Sequence, residues 1–347
     1  MTLSVLALLA AIAGAAAGAL TGSTTTPNAA VHLRALLARA EQATVEVEAG
    51  TQKGPDGIYP TNDHDSEFGS GFFISPTEVM TAGHVVYTAS KKMRSHRSPV
   101  YVLTPSGGRY PAHLAAVDLH DDVALLSVSG RPPVRPLTFA GKLPKVGEPM
   151  VAVGSPAGDW PSLTSGIISR AETATGDFAN TGNVLSVALD LAASEGSSGA
   201  PVLNMQGEVA GMILEHDGST GEPLQIMRPA DVLRADLAQL RRGQTLSNPF
   251  DGATLVSVDP ETRQALGLDS PHGLLVQRVE PGSALYSAEV RPGDELLALE
   301  GRPIDSLTAA LEMLVKRTPA QALTLEYANH AGKQRATLII EVGQAPT

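Results

Sequence analysis

Glu195-Gly196-Ser197-Ser198-Gly199-Ala200-Pro201-Val202-Leu203-Asn204, followed by Gly207-Glu208-Val209-Ala210-Gly211, sets a serine among small residues at the head of an apolar run. A glycine two positions before Ser198 lets the backbone turn so that the N–H groups of Gly196 and Ser198 point at one spot, where negative charge on an oxygen is stabilised. The serine side chain is then presented outward. Standing alone, such a stretch reads as a glycine-serine turn between strands. What lies upstream decides between the two readings.

Two upstream segments supply the missing partners. In Thr81-Ala82-Gly83-His84-Val85-Val86 a histidine follows a strand-like run and small residues that allow close approach, and a histidine titrating near neutrality suits a general base. In His120-Asp121-Asp122-Val123-Ala124-Leu125-Leu126 an acidic pair opens a strongly apolar strand, where a carboxylate can be held against an imidazole Nδ1. Either segment alone reads as structure or as a solvated turn. Together with Ser198 they run His, Asp, Ser, the order of chymotrypsin-like enzymes; subtilisins run Asp, His, Ser, and α/β-hydrolases place the serine first within G-x-S-x-G. Here the serine lies in G-S-S-G-A.

Around these segments, short apolar runs broken by turns recur from Phe68 to about residue 228: GFFIS, EVMTA, PVYVLT, DVALLSV, PMVAVG, SGIISR, VLSVALDL and EVAGMIL. That rhythm predicts a β-barrel or sandwich. An amphipathic helix over 29–43 precedes it, and a helix with Val232, Leu233, Leu237 and Leu240 on one face closes it. The stretch from Gly243 to Pro249 reads as a linker. A second unit follows, with strands TLVSV, GLLVQRV, ELLALEG, LTLEYA and ATLIIEV and one helix near Ser306 to Lys316.

The chain resembles the HtrA family of serine proteases over roughly residues 65 to 345. The resemblance is carried in order by GSGFFIS (Gly69 to Ser75), TAGHVV (Thr81 to Val86), DVALL (Asp122 to Leu126), VGSPAG (Val153 to Gly158), LTSGIIS (Leu163 to Ser169) and GSSGAPVLNMQGEVAG from Gly196. It departs from the family's G-N-S-G-G at Ser197 and Ala200. The resemblance implies a mainly β chain: a chymotrypsin-like double β-barrel protease domain over 29–242, a linker over 243–250, and a small α+β PDZ domain over 251–345. It implies that His84 is the general base, Asp122 its orienting carboxylate and Ser198 the nucleophile, with Gly196 and Ser198 forming the oxyanion hole. Ala192, six residues before the nucleophile, takes the base of the specificity pocket, and without an acid there small aliphatic P1 residues are expected.

In the C-terminal part, Leu266-Gly267-Leu268, His272-Gly273-Leu274-Leu275-Val276, Val279-Glu280-Pro281-Gly282-Ser283-Ala284 and Arg291-Pro292-Gly293-Asp294-Glu295-Leu296-Leu297 look like a PDZ domain. Gly273, Leu274, Leu275 and Val276 match the loop whose N–H groups receive a peptide's terminal carboxylate. The family's activity, cleavage of unfolded or misfolded proteins in quality control, is the expected function, with peptide C-termini as further partners. Family members assemble as trimers or multiples of trimers. The rival reading is a PDZ-based chaperone or binding protein with little peptidase activity. No cofactor or metal is called for.

Composition bounds the rest. A chain of 347 residues, 43% hydrophobic, is long enough for two cores, and 34 glycines, 25 prolines and only 18% charged residues suit a turn-rich β protein. A net charge of -11 without a Lys/Arg cluster argues against nucleic acid and anionic membrane surfaces as partners. The absence of cysteine excludes disulfides and thiolate chemistry. MTLSVLALLAAIAGAAAGAL, uncharged and apolar before the polar TGSTTTPN, reads over 1–22 as a secretory signal or a retained membrane anchor, and either places the body outside the cytoplasm, periplasmic or secreted.

Overall fold

The computed structural model describes residues 29–49, 67–87, 100–155, 162–174, 183–193, 196–216, 224–268 and 270–347. The expected leader over 1–22 lies outside the described residues. Helix α1 (Ala29–Ala43) runs directly into β1 (Thr44–Ala49). A first barrel closes from β1, β2 (Glu67–Phe73), β3 (Glu78–Ala82), β4 (Val100–Leu103), β5 (Arg109–Asp118) and β6 (Val123–Val128), in the order β1-β2-β3-β6-β5-β4. A second closes from β7 (Pro149–Gly154), β8 (Ser162–Ala174), β9 (Val184–Asp190), β10 (Pro201–Leu203), β11 (Val209–His216) and β12 (Gln225–Pro229), in the order β10-β11-β12-β9-β8-β7. The chain therefore has the expected mainly β architecture with two closed barrels, a form in which no strand edge is left open.

Each barrel is filled by the apolar runs. Phe72, Phe73, Met80 and Leu126 are fully buried in the first, and Met150, Ile168, Leu189 and Ile213 in the second. A one-turn helix α2 (Gly83–Val86) follows β3, and α3 (Ala230–Leu240) closes the unit with Val232, Leu233, Leu237 and Leu240 all buried.

The stretch expected as a linker is not loose chain. Its residues form β13 (Gln244–Leu246), paired antiparallel with β20 (Val342–Gln344), and the Ala345 N–H donates to the Gly243 carbonyl at 3.0 Å. The C-terminal unit is a sheet of β14 (Ala253–Ser257), β15 (Leu274–Val279), β16 (Glu295–Leu299), β18 (Ala322–Asn329) and β19 (Gly332–Ile339) in that spatial order, with β17 (Arg302–Pro303) beside β16. Helices α4 (Pro260–Leu266), α5 (Ala284–Ser287) and α6 (Leu307–Leu314) accompany it.

This order corrects the expectation for Gly273, Leu274, Leu275 and Val276. Strand β15 is interior: Leu274 pairs with Ser257 on one side and Leu296 on the other, and Leu275 with Val256 and Glu295. The Val276 N–H is already taken by the Asp294 carbonyl at 2.9 Å. A Cβ on Gly273 would lie 2.8 Å from Glu295 Oε1, so a carboxylate already occupies the space a peptide terminus would need. That carboxylate is held in place by an ion pair with the Arg263 guanidinium. The sheet's two edges are β14, which packs beside α6, and β19, which contacts α5.

The C-terminal unit is bound to the second barrel. Leu185 and Val232 join its core, and Asn183 Nδ2 donates to the carbonyls of Phe250 (2.6 Å) and Ala253 (2.8 Å), at the entry to β14.

Candidate active site

His84 lies in the α2 turn, where the chain leaves β3. Gly83 permits that turn to press on the β5–β6 connection: its N–H donates to the Asp122 carbonyl at 3.0 Å, and a Cβ would meet Asp122 Oδ1 at 3.0 Å. Asp122 itself has φ 54°, a left-handed conformation rarely adopted by a residue with a side chain. In that conformation its carboxylate grips His84 twice. Oδ1 accepts the His84 backbone N–H at 2.8 Å, and Oδ2 lies 2.8 Å from ring Nδ1. The ring thereby carries its proton on Nδ1 and leaves Nε2 as the basic nitrogen. Asp122 is shielded, with its side chain 15% exposed, while that of His84 is 37% exposed and open to a substrate.

Ser198 is brought to the same place by the loop before β10. Its carbonyl accepts the Ser70 N–H at 2.8 Å, and β2 in turn pairs Gly71 with Thr81, three residues before His84. Gly199 follows with φ 86°, where a Cβ would fall 2.0 Å from the Ser70 carbonyl oxygen and 2.6 Å from Thr81 Oγ1. Only glycine allows the serine loop to dock this closely. Gly196 also has positive φ, 89°, and its carbonyl is turned inward onto Ser70 Oγ at 2.8 Å. Ser70 Oγ accepts the Ser155 N–H at 2.9 Å, so one hydroxyl ties the serine loop to the end of β7. Among the described residues no backbone carbonyl accepts the N–H of Gly196 or Ser198.

Beside this loop is a cavity of about 170 Å³ lined by Ala152, Gly154, Ser162, Thr164, Ala192, Ala193, Ser197, Ala200 and Ile213. Ala192 lines this cavity, and none of the described residues around it carries a charge.

The acid next door has a different role. Asp121 faces Arg228 and Arg317. Burial pushes its carboxyl up, but the charges of His120, Arg228 and Arg317 outweigh this and hold it below the usual carboxylate range. Burial, with Asp121 nearby, raises Asp118 to about 6 and Asp251 to about 8, and burial lowers His120 to about 4. Burial and the charges of Asp121 and Asp118 push Asp236, on α3, well above its ordinary value.

Of the residues expected from the sequence, Asp122 is bonded directly to His84, the Ser198 loop is docked on Ser70 of β2, and Ala192 lines the cavity beside that loop. Sequence reasoning missed Ser70, whose only signal was its place in GSGFFIS, and Arg228, a lone cation in the apolar strand QIMRP. Among the described residues no His, Asp and Glu cluster has the form of a metal site.

The trypsin-like peptidase domain family matches residues 69–212. Among curated proteins, a probable periplasmic serine endoprotease, DegP-like, of Pseudomonas putida is 34% identical over 230 residues, 63% of this chain and 45% of the relative. One of the same description from Halomonas elongata is 32% identical over 234 residues, 65% of this chain and 46% of the relative. The chain thus spans just under half the length of these relatives. Among solved structures, the HtrA-type protease AlgW with a tripeptide aligns over 92% of this chain and 99% of its own, with TM-score 0.67 and 20% identity. The serine endoprotease from Yersinia pestis aligns over 92% of this chain and all of its own, with TM-score 0.55 and 19% identity.

Proposed function

We propose that the chain is a serine endopeptidase of the HtrA type with His84, Asp122 and Ser198 as its triad, a reading supported by the trypsin-like peptidase domain match over residues 69–212 and by the likeness to DegP-like endoproteases. The observation that carries the reading is the double grip of Asp122 on His84, backbone and ring, opposite a serine loop docked on Ser70. His84 Nε2 takes the Ser198 hydroxyl proton as Oγ attacks a peptide carbonyl. The resulting oxyanion is held by the N–H groups of Gly196 and Ser198. The imidazolium, stabilised by Asp122, returns the proton to the leaving amine, and water repeats the cycle on the acyl-enzyme.

The uncharged pocket at Ala192 favours small aliphatic P1 side chains. Unfolded or misfolded proteins are the proposed substrates, and the compartment is the one named for the curated relatives, the periplasm. Among the described residues no helix is long and apolar enough to cross a membrane.

We read the C-terminal unit as a PDZ domain whose peptide would join the sheet at β14, beside α6. The start of that edge is held by Asn183, so a peptide would compete with the second barrel for the carbonyl of Ala253. Hydrolysis of casein by the full chain tests the enzymatic reading: Ser198→Ala should abolish it with the fold intact, and hydrolysis unchanged in that variant would move the nucleophile elsewhere.

A further inference from the structure

Arg228, the fourth residue of β12, is fully buried. Burying a guanidinium is costly, and an apolar side chain would fill the end of this strand at less cost. The side chain spends its donors mainly on two carbonyls rather than on a carboxylate. Nε and Nη2 both donate to the Asp121 carbonyl, at 3.0 and 2.6 Å, and Nη1 donates to the Leu185 carbonyl at 3.0 Å. The nearest carboxylate oxygen, Asp121 Oδ1, is 3.9 Å away.

The Asp121 carbonyl belongs to the peptide unit that leads into Asp122. Because that unit is planar, rotation about the Asp122 φ carries the carbonyl and the Asp122 carboxylate in opposition: the side chain cannot relax from φ 54° without pulling the oxygen off the guanidinium. Arg317, from the loop after α6, holds the Asp121 side chain from the other side, Nη2 to Oδ2 at 3.3 Å. The charged and titratable groups around Asp121 are Asp118 and His120 on its own turn, Asp236 on α3, Asp251 before β14, Arg228 and Arg317.

We propose that Arg228 is a positioning residue for the Asp122–His84 pair, clamping the Asp121–Asp122 peptide against Leu185 across the barrel junction, with Arg317 bracing the same turn from the C-terminal unit. The inference rests on the reading of Asp122 as the triad acid.

The test is kinetics of the full chain on a fluorogenic peptide with valine at P1, with active sites counted by a fluorophosphonate so that misfolded protein drops out. Arg228→Met should lower kcat per titrated site about 30-fold with KM within about twofold, and should move the acid limb of kcat/KM to lower pH, since the imidazolium loses support. Arg228→Lys should recover part of the loss. In an Asp122→Asn background the same substitution should cost less than about threefold, because the acid it positions is already gone. An equal loss in both backgrounds, or an unshifted pH profile with fewer titrated sites, would overturn the proposal. Asp122→Asn leaving the rate unchanged would instead remove the triad assignment beneath it. Should Arg228→Met fail to fold, Arg317→Met takes its place: a roughly threefold loss of kcat with the same direction of pH shift is expected, and an unaltered profile would count against the clamp.

Discussion

Asp122 meets His84 through both carboxylate oxygens, Oδ1 on the backbone N–H and Oδ2 on ring Nδ1, each at 2.8 Å. The neighbouring Asp121 instead faces Arg228 and Arg317. The two adjacent acids therefore separate on substitution. Asp122→Asn should lower kcat/KM by about 10⁴-fold through the wrong histidine tautomer, while Asp121→Asn should cost under about 10-fold per active site and act mainly on stability. Steady-state kinetics on one peptide substrate compares them. A greater loss for Asp121→Asn would reverse the assignment.

Gly199 offers a test of the serine loop's docking. A Cβ there would lie 2.0 Å from the Ser70 carbonyl oxygen, at φ 86°. Gly199→Ala should therefore push the loop off β2, reducing activity at least about 100-fold and Tm by roughly 10 °C. Calorimetry and casein turnover give both numbers; a Tm within about 2 °C of the parent would show that the loop accommodates the methyl.

The cavity at Ala192 governs specificity if its walls hold the P1 side chain. Ala192→Asp should turn the preference from small aliphatic toward Lys and Arg, by about 10-fold or more in relative kcat/KM. A P1-varied peptide library reads this directly, and an unchanged profile would place the pocket elsewhere.

Stability should fall with rising pH at the junction between the barrels and the C-terminal unit. Burial, with Asp121 beside it, raises Asp251 from 3.8 to about 8, so the folded chain keeps a proton the unfolded chain has shed, and the stability this gives is lost as pH rises through about 8. His120, lowered by burial from 6.5 to about 4, acts oppositely, but only below about 6.5. Above that, Asp251 sets the sign, and Asp236, also raised by burial, acts in the same direction. One Asp251 oxygen is sealed without a partner while the other meets His120 at the surface, which limits the size of the effect. Tm of the parent should drop between pH 6.5 and 8.5, and that of Asp251→Asn should drop less; parallel curves would contradict the account.

Much of this was legible in the sequence. The runs GFFIS, EVMTA, DVALLSV and PMVAVG fell on β2, β3, β6 and β7 because buried strands carry continuous apolar residues, and the α3 face was read from Val232, Leu233, Leu237 and Leu240. Strand β1 was not read. Its Glu46 and Glu48 look like a solvated face, yet both are buried, with Ser155 Oγ on Glu46 and Arg109 Nε on Glu48, partners 109 and 61 residues away. The Gly273 loop was misplaced for a related reason. A glycine before an apolar strand looks the same at a sheet edge and in its interior, and only the pairing of β15 on both sides distinguishes them. Arg228 stayed hidden because its acceptors are main-chain oxygens, which no side-chain pattern records.

Everything proposed for the site depends on Ser198 being a nucleophile activated by His84 and Asp122. The most direct measurement is mass spectrometry of the full chain after reaction with a fluorophosphonate. One adduct is expected, on Ser198, lost in Ser198→Ala and greatly slowed in His84→Ala. A folded chain that stays unmodified, or an adduct on another serine, would contradict it.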